Sequence, residues 1–165
     1  MKAIIIGTSL SGKTTLVKYL HSQSNLPLLE MDEKLTRANN GKYPDDVKYK
    51  HDVLAPQIIN DILNQEEIVF FTNTDYFTDE DLKTAKSKGF KIIQLDVGLK
   101  ELKKRNKIRV QKEARDDWGR WFEGMLKYQK DIKEKGLVDK VIDMNRPIKD
   151  AVRDLLTFLE VNTAL

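Results

Sequence analysis

Cysteine is absent from the 165 residues. That excludes disulfides, thiolate metal sites and a cysteine nucleophile, and it suits a reducing, cytoplasmic setting. Histidine is nearly absent too. His21 and His51 stand alone, with no metal-ligand partner at a useful spacing, and neither draws a role. No apolar stretch approaches the length of a membrane span. The opening apolar run is too short for the hydrophobic region of a signal peptide and reads as a strand. Internal repeats, low-complexity segments and Pro/Gly/Ser linkers are all missing, so one domain over 1–165 is expected, as a monomer. A dominant charge sign is also missing. Lys and Arg number 29 against 26 Asp and Glu, and a net charge of +3 permits a polyanionic partner without arguing for one. What is present is an apolar fraction of 40%, enough for a single packed core.

Short apolar runs alternate with helical patterns. Ala3–Ile6, Leu26–Leu29, Ile68–Phe71, Phe90–Val97 and Val138–Ile142 read as five strands. Helices are expected over Lys13–His21, from Pro44-Asp45 to Leu63 with an interruption at Pro56, and from Thr78 to Gly89. A long basic and aromatic helical region runs from Leu99 to Lys135, and an amphipathic helix closes the chain over Ile148–Leu159. Thr78-x-x-Asp81 has the spacing of a helix-capping pair. Strands alternating with helices indicate a three-layer α/β/α fold around a parallel sheet. Ligands in such sheets gather at the carboxyl ends of the strands. Attention therefore falls on the segments 7–14, 30–37, 72–76 and 143–146.

The first of these reads Gly7-Thr8-Ser9-Leu10-Ser11-Gly12-Lys13-Thr14, with Thr15 next. It matches G-x-x-x-x-G-K-[ST] between an apolar strand and an amphipathic helix. Glycine frees the backbone to turn its N–H groups inward as an anion cradle, and the helix dipole adds positive potential at the same point. Lys13 would reach the β- and γ-phosphates, and the Thr14 hydroxyl would help hold magnesium. A guanine-specific switch protein is excluded. The nearest text to Asn-Lys-x-Asp is Asn106-Lys107-Ile108-Arg109, and no Asp-x-x-Gly follows the third strand.

With this loop, this length and this order of elements, the chain resembles the small P-loop kinases related to nucleoside monophosphate kinases and shikimate kinase. Two further segments carry the resemblance. Asp32-Glu33-Lys34-Leu35-Thr36-Arg37-Ala38 is similar to the segment that binds the phosphoryl acceptor. Arg105-x-x-x-Arg109, followed by Arg115 and Arg120, is similar to the hinge and lid that close over ATP. The resemblance implies a five-stranded sheet of order 2-3-1-4-5, a helical lid over about 105–130, and transfer of the ATP γ-phosphoryl group to a small molecule, a nucleotide or nucleoside among the choices. Thr72-Asn73-Thr74-Asp75 departs from the Gly-rich segment of shikimate kinases and from the Asp-Gly-x-Pro-Arg run of adenylate kinases. Shikimate and AMP are therefore not the expected acceptors, and Thr72 stands where an acidic residue usually ends the third strand.

Candidate residues follow from these patterns. Asp32, just past the second strand, suits orientation of the acceptor hydroxyl, water-mediated magnesium binding, or a helix cap. Asp75 suits acceptor binding or an ordinary turn, and Arg37 an anionic acceptor or an exposed helix face. Arg105 and Arg109 share a helical face, where planar guanidinium groups suit phosphate and adenine, amid lysines that are solvated surface. Trp118, Trp121, Phe122 and Met125 form either a packed helix face or the cover of a lid, softened by Gly119 and Gly124. The expected ligands are ATP, Mg2+ and a small-molecule acceptor. The basic stretch Lys100–Arg115 makes nucleic-acid ends the alternative acceptor.

Overall fold

The computed structural model describes residues 1–161. Five parallel strands form one sheet in the order β2-β3-β1-β4-β5, as the resemblance implies. They are β1 Lys2–Gly7, β2 Leu28–Glu30, β3 Ile68–Asn73, β4 Lys91–Asp96 and β5 Lys140–Asp143. Successive strand residues point to opposite faces. In β1, Ala3 and Ile5 join one apolar cluster while Ile4 and Ile6 join the other. Both faces are therefore covered, which is why the strands read as unbroken apolar runs and not as alternating ones.

One face is covered by α1 Lys13–Gln23, α6 Leu99–Glu113 and α8 Ile148–Phe158, through Leu16, Leu20, Leu102 and Leu155. The other is covered by α2 Met31–Ala38, α4 Ala55–Leu63 and α5 Asp79–Ser87, through Leu35, Ile58, Ile62 and Leu82. The helix expected from Pro44 to Leu63 is interrupted, and Pro56 accounts for the place. A short α3 Val47–Tyr49 passes into a π-helical turn Lys50–Leu54, where Ala55 N–H donates to Lys50 O; α4 then starts with Pro56 in its first turn. Proline has no N–H to continue an α-helical ladder, and a first turn is where that loss costs least.

The region expected to be helical from Leu99 to Lys135 is broken. α6 ends at Glu113 with Ala114 in the left-handed conformation, φ 48°. A 3-10 turn Gly119–Trp121 then leads into α7 Phe122–Glu134. Asn106 fixes the break: its amide donates to Asp117 Oδ1 at 2.7 Å and its carbonyl accepts from Trp118 N–H at 3.1 Å. Phe122 lies in one apolar cluster and Ile132 in the other, so α7 crosses the carboxyl edge of the sheet. Gln129 holds it there, donating to Leu95 O at 3.0 Å. Among the described residues, no helix is long and apolar enough to cross a membrane.

The Thr78-x-x-Asp81 cap forms as its spacing indicates. Thr78 Oγ1 accepts from Asp81 N–H at 3.2 Å, and Asp81 Oδ2 accepts from Thr78 N–H at 2.8 Å. Thr78→Ala is expected to lower stability by about 1 kcal/mol in urea unfolding, because it leaves the Asp81 N–H in the first turn of α5 without its partner. An unchanged unfolding midpoint would contradict this.

Candidate active site

The strand order puts β1 at the centre, so the loop that leaves it lies between two halves of the sheet edge. The Gly7–Thr14 loop sits there, at the turn from β1 into α1. Its path depends on two left-handed residues, Leu10 with φ 63° and Gly12 with φ 95°. Crowding constrains it as well. A Cβ on Gly7 would fall 2.5 Å from Ser11 Oγ, so the loop closes this tightly only with glycine there. Gly12 is the N-cap of α1 and offers no side-chain bond. The first-turn N–H groups of α1 are thus left for an external anion.

Lys13 folds back over the loop, donating from Nζ to Gly7 O at 2.9 Å and to Thr8 O at 2.6 Å. Burial pushes its ammonium down to about 8, against the opposing pull of Asp32 and Glu30. Thr14 and Thr15 are exposed at the start of α1 and line the cleft. Two buried hydroxyls of the loop, on Thr8 and Ser11, have no partner. Uncapped first-turn N–H groups of α1, unpaired hydroxyls and a nearby ammonium make a donor set that fits a polyphosphate.

Glu30 and Asp32 flank Lys13 from the β2 side. Asp32 is not a helix cap, since Glu30 occupies the N-cap of α2 and no side-chain cap bond forms. Glu30 carried no motif of its own. Burial raises its carboxyl, with Asp32 and Glu33 adding to the effect. Asp75, after β3, has a left-handed backbone with φ 72°. Its carboxyl is raised by desolvation, which His51 and Lys50 partly offset, although the residue remains exposed. His51, given no role from sequence, stacks on Tyr76 with ring centroids 4.8 Å apart and planes 10° apart. No motif could have revealed it, because the π-helical turn sets where His51 falls. Arg37 does not join the cleft; it is exposed and pairs with Glu33 one turn earlier.

The opposite wall comes from α6 and the segment after it. Arg105 donates to Glu101 at 3.1 Å, Leu10 O at 3.0 Å and Met144 O at 2.9 Å. It therefore ties α6 to the phosphate loop and to the turn after β5. Three of its five in-plane N–H donors are engaged within the chain, and its flat faces remain for a ligand. Arg109 differs. Its Nε is buried without a partner, and its side chain lines the cleft. Arg115 pairs with Glu113 at 3.3 Å, and Arg120 lies over Trp121 at 4.6 Å. The tryptophans divide their roles. Trp118 packs against the core, Trp121 is 49% exposed, and both line the cleft.

ATP affinity is expected to fall as pH rises through about 8, where the Lys13 ammonium of the free protein loses its proton. Phosphate favours the charged form, so binding above that pH should take up a proton. Calorimetry at pH 8.5 in buffers of different ionisation enthalpy reads this directly. Equal apparent enthalpies across the buffers would contradict it.

No family model matches the chain. A shikimate kinase from Aquifex aeolicus (strain VF5) is 27% identical over 172 residues, covering 98% of both chains. The crystal structure of the Aquifex aeolicus vf5 enzyme aligns with a TM-score of 0.71 at 20% identity, over 97% of this chain and 96% of that one. Shikimate kinase from Acinetobacter baumannii in complex with shikimate aligns with a TM-score of 0.75 at 14% identity, over 99% and 95% of the two chains. A gluconokinase from Sinorhizobium meliloti 1021 aligns with a TM-score of 0.63 at 16% identity, over 96% and 91%. A phosphate loop at the central strand, a shared fold and a relative matched along its whole length make the chain similar to the small P-loop kinases of the nucleoside monophosphate kinase and shikimate kinase-like group, and they support an ATP-dependent phosphotransferase.

Proposed function

We propose that the chain transfers the γ-phosphoryl group of ATP to a hydroxyl of a small molecule of nucleoside or nucleotide type, with the residues 7–15, Asp32, Asp75 and Arg109 forming the site. The observation that carries this reading is the division of the cleft about Lys13. Arginines of the β4–β5 side stand on one flank and carboxylates of the β2–β3 side on the other. Phosphoryl transfer needs that division, with positive charge around the phosphates and a proton acceptor beside the attacking hydroxyl.

The loop and the α1 N-terminus hold the polyphosphate. Thr14 and Asp32 are the proposed contacts of magnesium, which is usually held by few side chains together with phosphates and water. Bound there, ATP and magnesium supply the phosphoryl group and neutralise its charge. Asp32 orients the acceptor hydroxyl and accepts its proton. Arg109, with donors to spare, stabilises the phosphoryl oxygens as their charge shifts. Arg105 holds the loop in shape and offers a guanidinium face for the adenine ring.

The segment 105–130 serves as the lid, and its two ends are anchored. Arg105 is tied to the phosphate loop, while Phe122 and Gln129 are buried in the body. Asn106 also holds Asp117 and Trp118, so the moving part is the stretch before them, about 107–116, which carries Arg109 and Arg115 across the cleft. Closure excludes water, which would otherwise hydrolyse ATP in place of the acceptor's reaction.

Asp32→Asn is expected to lower kcat by about 10²-fold or more while the affinity for ATP changes little. Arg109→Ala should lower kcat by about 10²-fold through lost charge stabilisation. Steady-state kinetics together with ATP titration check both. Normal turnover in either folded variant removes that residue from the mechanism.

A further inference from the structure

We propose that the acceptor is an uncharged nucleoside, and that Asp75 and His51 are the residues that select it over anionic acceptors. This rests on the kinase reading above and deepens it. The strand order separates the two ends of the cleft. Residues after β2 and β3, with the turn before α4, form the acceptor end; residues of α6 and beyond form the ATP end.

The acceptor end is built against anions. It carries Glu30, Asp32 and Asp75, whereas the arginines that line the cleft, Arg105, Arg109 and Arg115, belong to α6 and the segment just after it. Its one cation from the turn before α4, Lys50, rests beside Tyr43, with Nζ 3.4 Å from the hydroxyl and 5.2 Å from the ring centroid, and is outnumbered by the three carboxyl groups. A phosphate monoester brings a charge of about −1.5 to −2 at neutral pH. Recognition of such a group, or of a carboxylate, normally uses a guanidinium fork. Here the group would meet three carboxylates, and unpaired like charge is how a site rejects the wrong ligand. The raised Glu30 and Asp75 carboxyls fit the same picture of a crowded, partly desolvated acidic wall.

Shape and size favour a nucleoside among uncharged acceptors. The cleft holds about 1360 Å³. A single drug-sized ligand occupies a pocket of roughly 300–1,000 Å³, so there is room for ATP and a second ring-bearing body. His51 rests one face on the buried Tyr76 and is itself only half-buried, which leaves imidazole surface for a nucleobase. Two unusual backbone features converge there. Asp75 is a non-glycine residue at positive φ, and His51 lies in the π-helical turn. Both are costly or rare conformations that concentrate at binding sites. The Asp75 carboxylate accepts hydrogen bonds only, which suits ribose hydroxyls and base N–H groups. In the reaction, a ribose hydroxyl oxygen bonds to the γ-phosphorus as the bond from that phosphorus to the β,γ-bridging oxygen breaks. ADP departs with that oxygen, and the hydroxyl proton passes to Asp32 and then to water. The products are a nucleoside monophosphate and ADP.

The test is an acceptor panel with MgATP: nucleosides, their monophosphates, free ribose, gluconate and shikimate. ADP release is followed, and binding of each acceptor to the MgADP complex is titrated by calorimetry, so that slow turnover does not hide recognition. At least one nucleoside should exceed its own monophosphate, free ribose and both acids by about tenfold or more in kcat/KM. Asp75→Asn, which asparagine's tolerance of a left-handed backbone should let fold, is expected to narrow the nucleoside-to-monophosphate ratio several-fold. His51→Ala should raise the nucleoside KM by about tenfold, as for lost base stacking, with kcat little changed. The ATP-induced melting shift should persist in both variants. Preference for a monophosphate, an acid or free ribose overturns the inference, as does failure of every nucleoside to bind, while ATP binding leaves the kinase reading standing. Loss of the ATP-induced shift in the unaltered protein would instead count against the kinase reading itself.

Discussion

A backbone loop that must aim its N–H groups at an anion cannot also satisfy them within the chain. Between β1 and α1 that constraint is met by tight closure, with Gly7 crowded by Ser11 and with Leu10 and Gly12 left-handed. Much of the surrounding structure holds this shape. β1 is paired on both sides, by β3 and by β4, so the loop springs from the most supported strand of the sheet. Arg105 binds Leu10 O, and Met144 packs against Gly12. The cost of leaving donors open is accepted where a polyphosphate will take them.

Charge then organises the cleft about the loop. The Lys13 ammonium, lowered by burial, is favoured in its charged form by Asp32 and Glu30 on one flank, and arginines line the cleft on the other. Neither flank alone would suit phosphoryl transfer. Carboxylates without the arginines would repel ATP, and arginines without the carboxylates would leave the attacking hydroxyl with no proton acceptor. On the proposed reading the same division bears on the acceptor, because a carboxylate placed to accept its proton also discourages a second anion.

Features whose cause lies within a few neighbouring residues were legible in the sequence. The loop announces itself through glycine spacing. The strands show as buried apolar runs, the α5 cap shows in Thr78 and Asp81, and the position of Asp32 follows from where β2 ends. Features set by distant partners were not legible. Arg105 reads as a candidate ATP contact, but its tie to the phosphate loop does not show, since the carbonyls it binds belong to residues 95 and 39 positions away. The break between α6 and α7 carries no proline and puts alanine, not glycine, at positive φ; it depends on Asn106 reaching Asp117. Arg37 suggested an acceptor contact, but its partner Glu33 lies one turn away on the same helix. His51 could not be placed, because π-helical winding shifts the face on which a residue falls.

Whether Lys13 and its loop bind the phosphates of ATP is read by thermal unfolding with and without MgATP. A ligand that binds the folded state alone raises stability by mass action, by about 2.7 kcal/mol at a hundred times its Kd. A clear upward shift of Tm is expected for the unaltered protein at millimolar MgATP. Lys13→Ala should unfold at no lower temperature without ligand, since it removes a partly desolvated charge and no core contact, and its shift with MgATP should be lost or strongly reduced. An unaltered protein whose Tm does not move with MgATP, or a Lys13→Ala variant that shifts as far, would contradict the account.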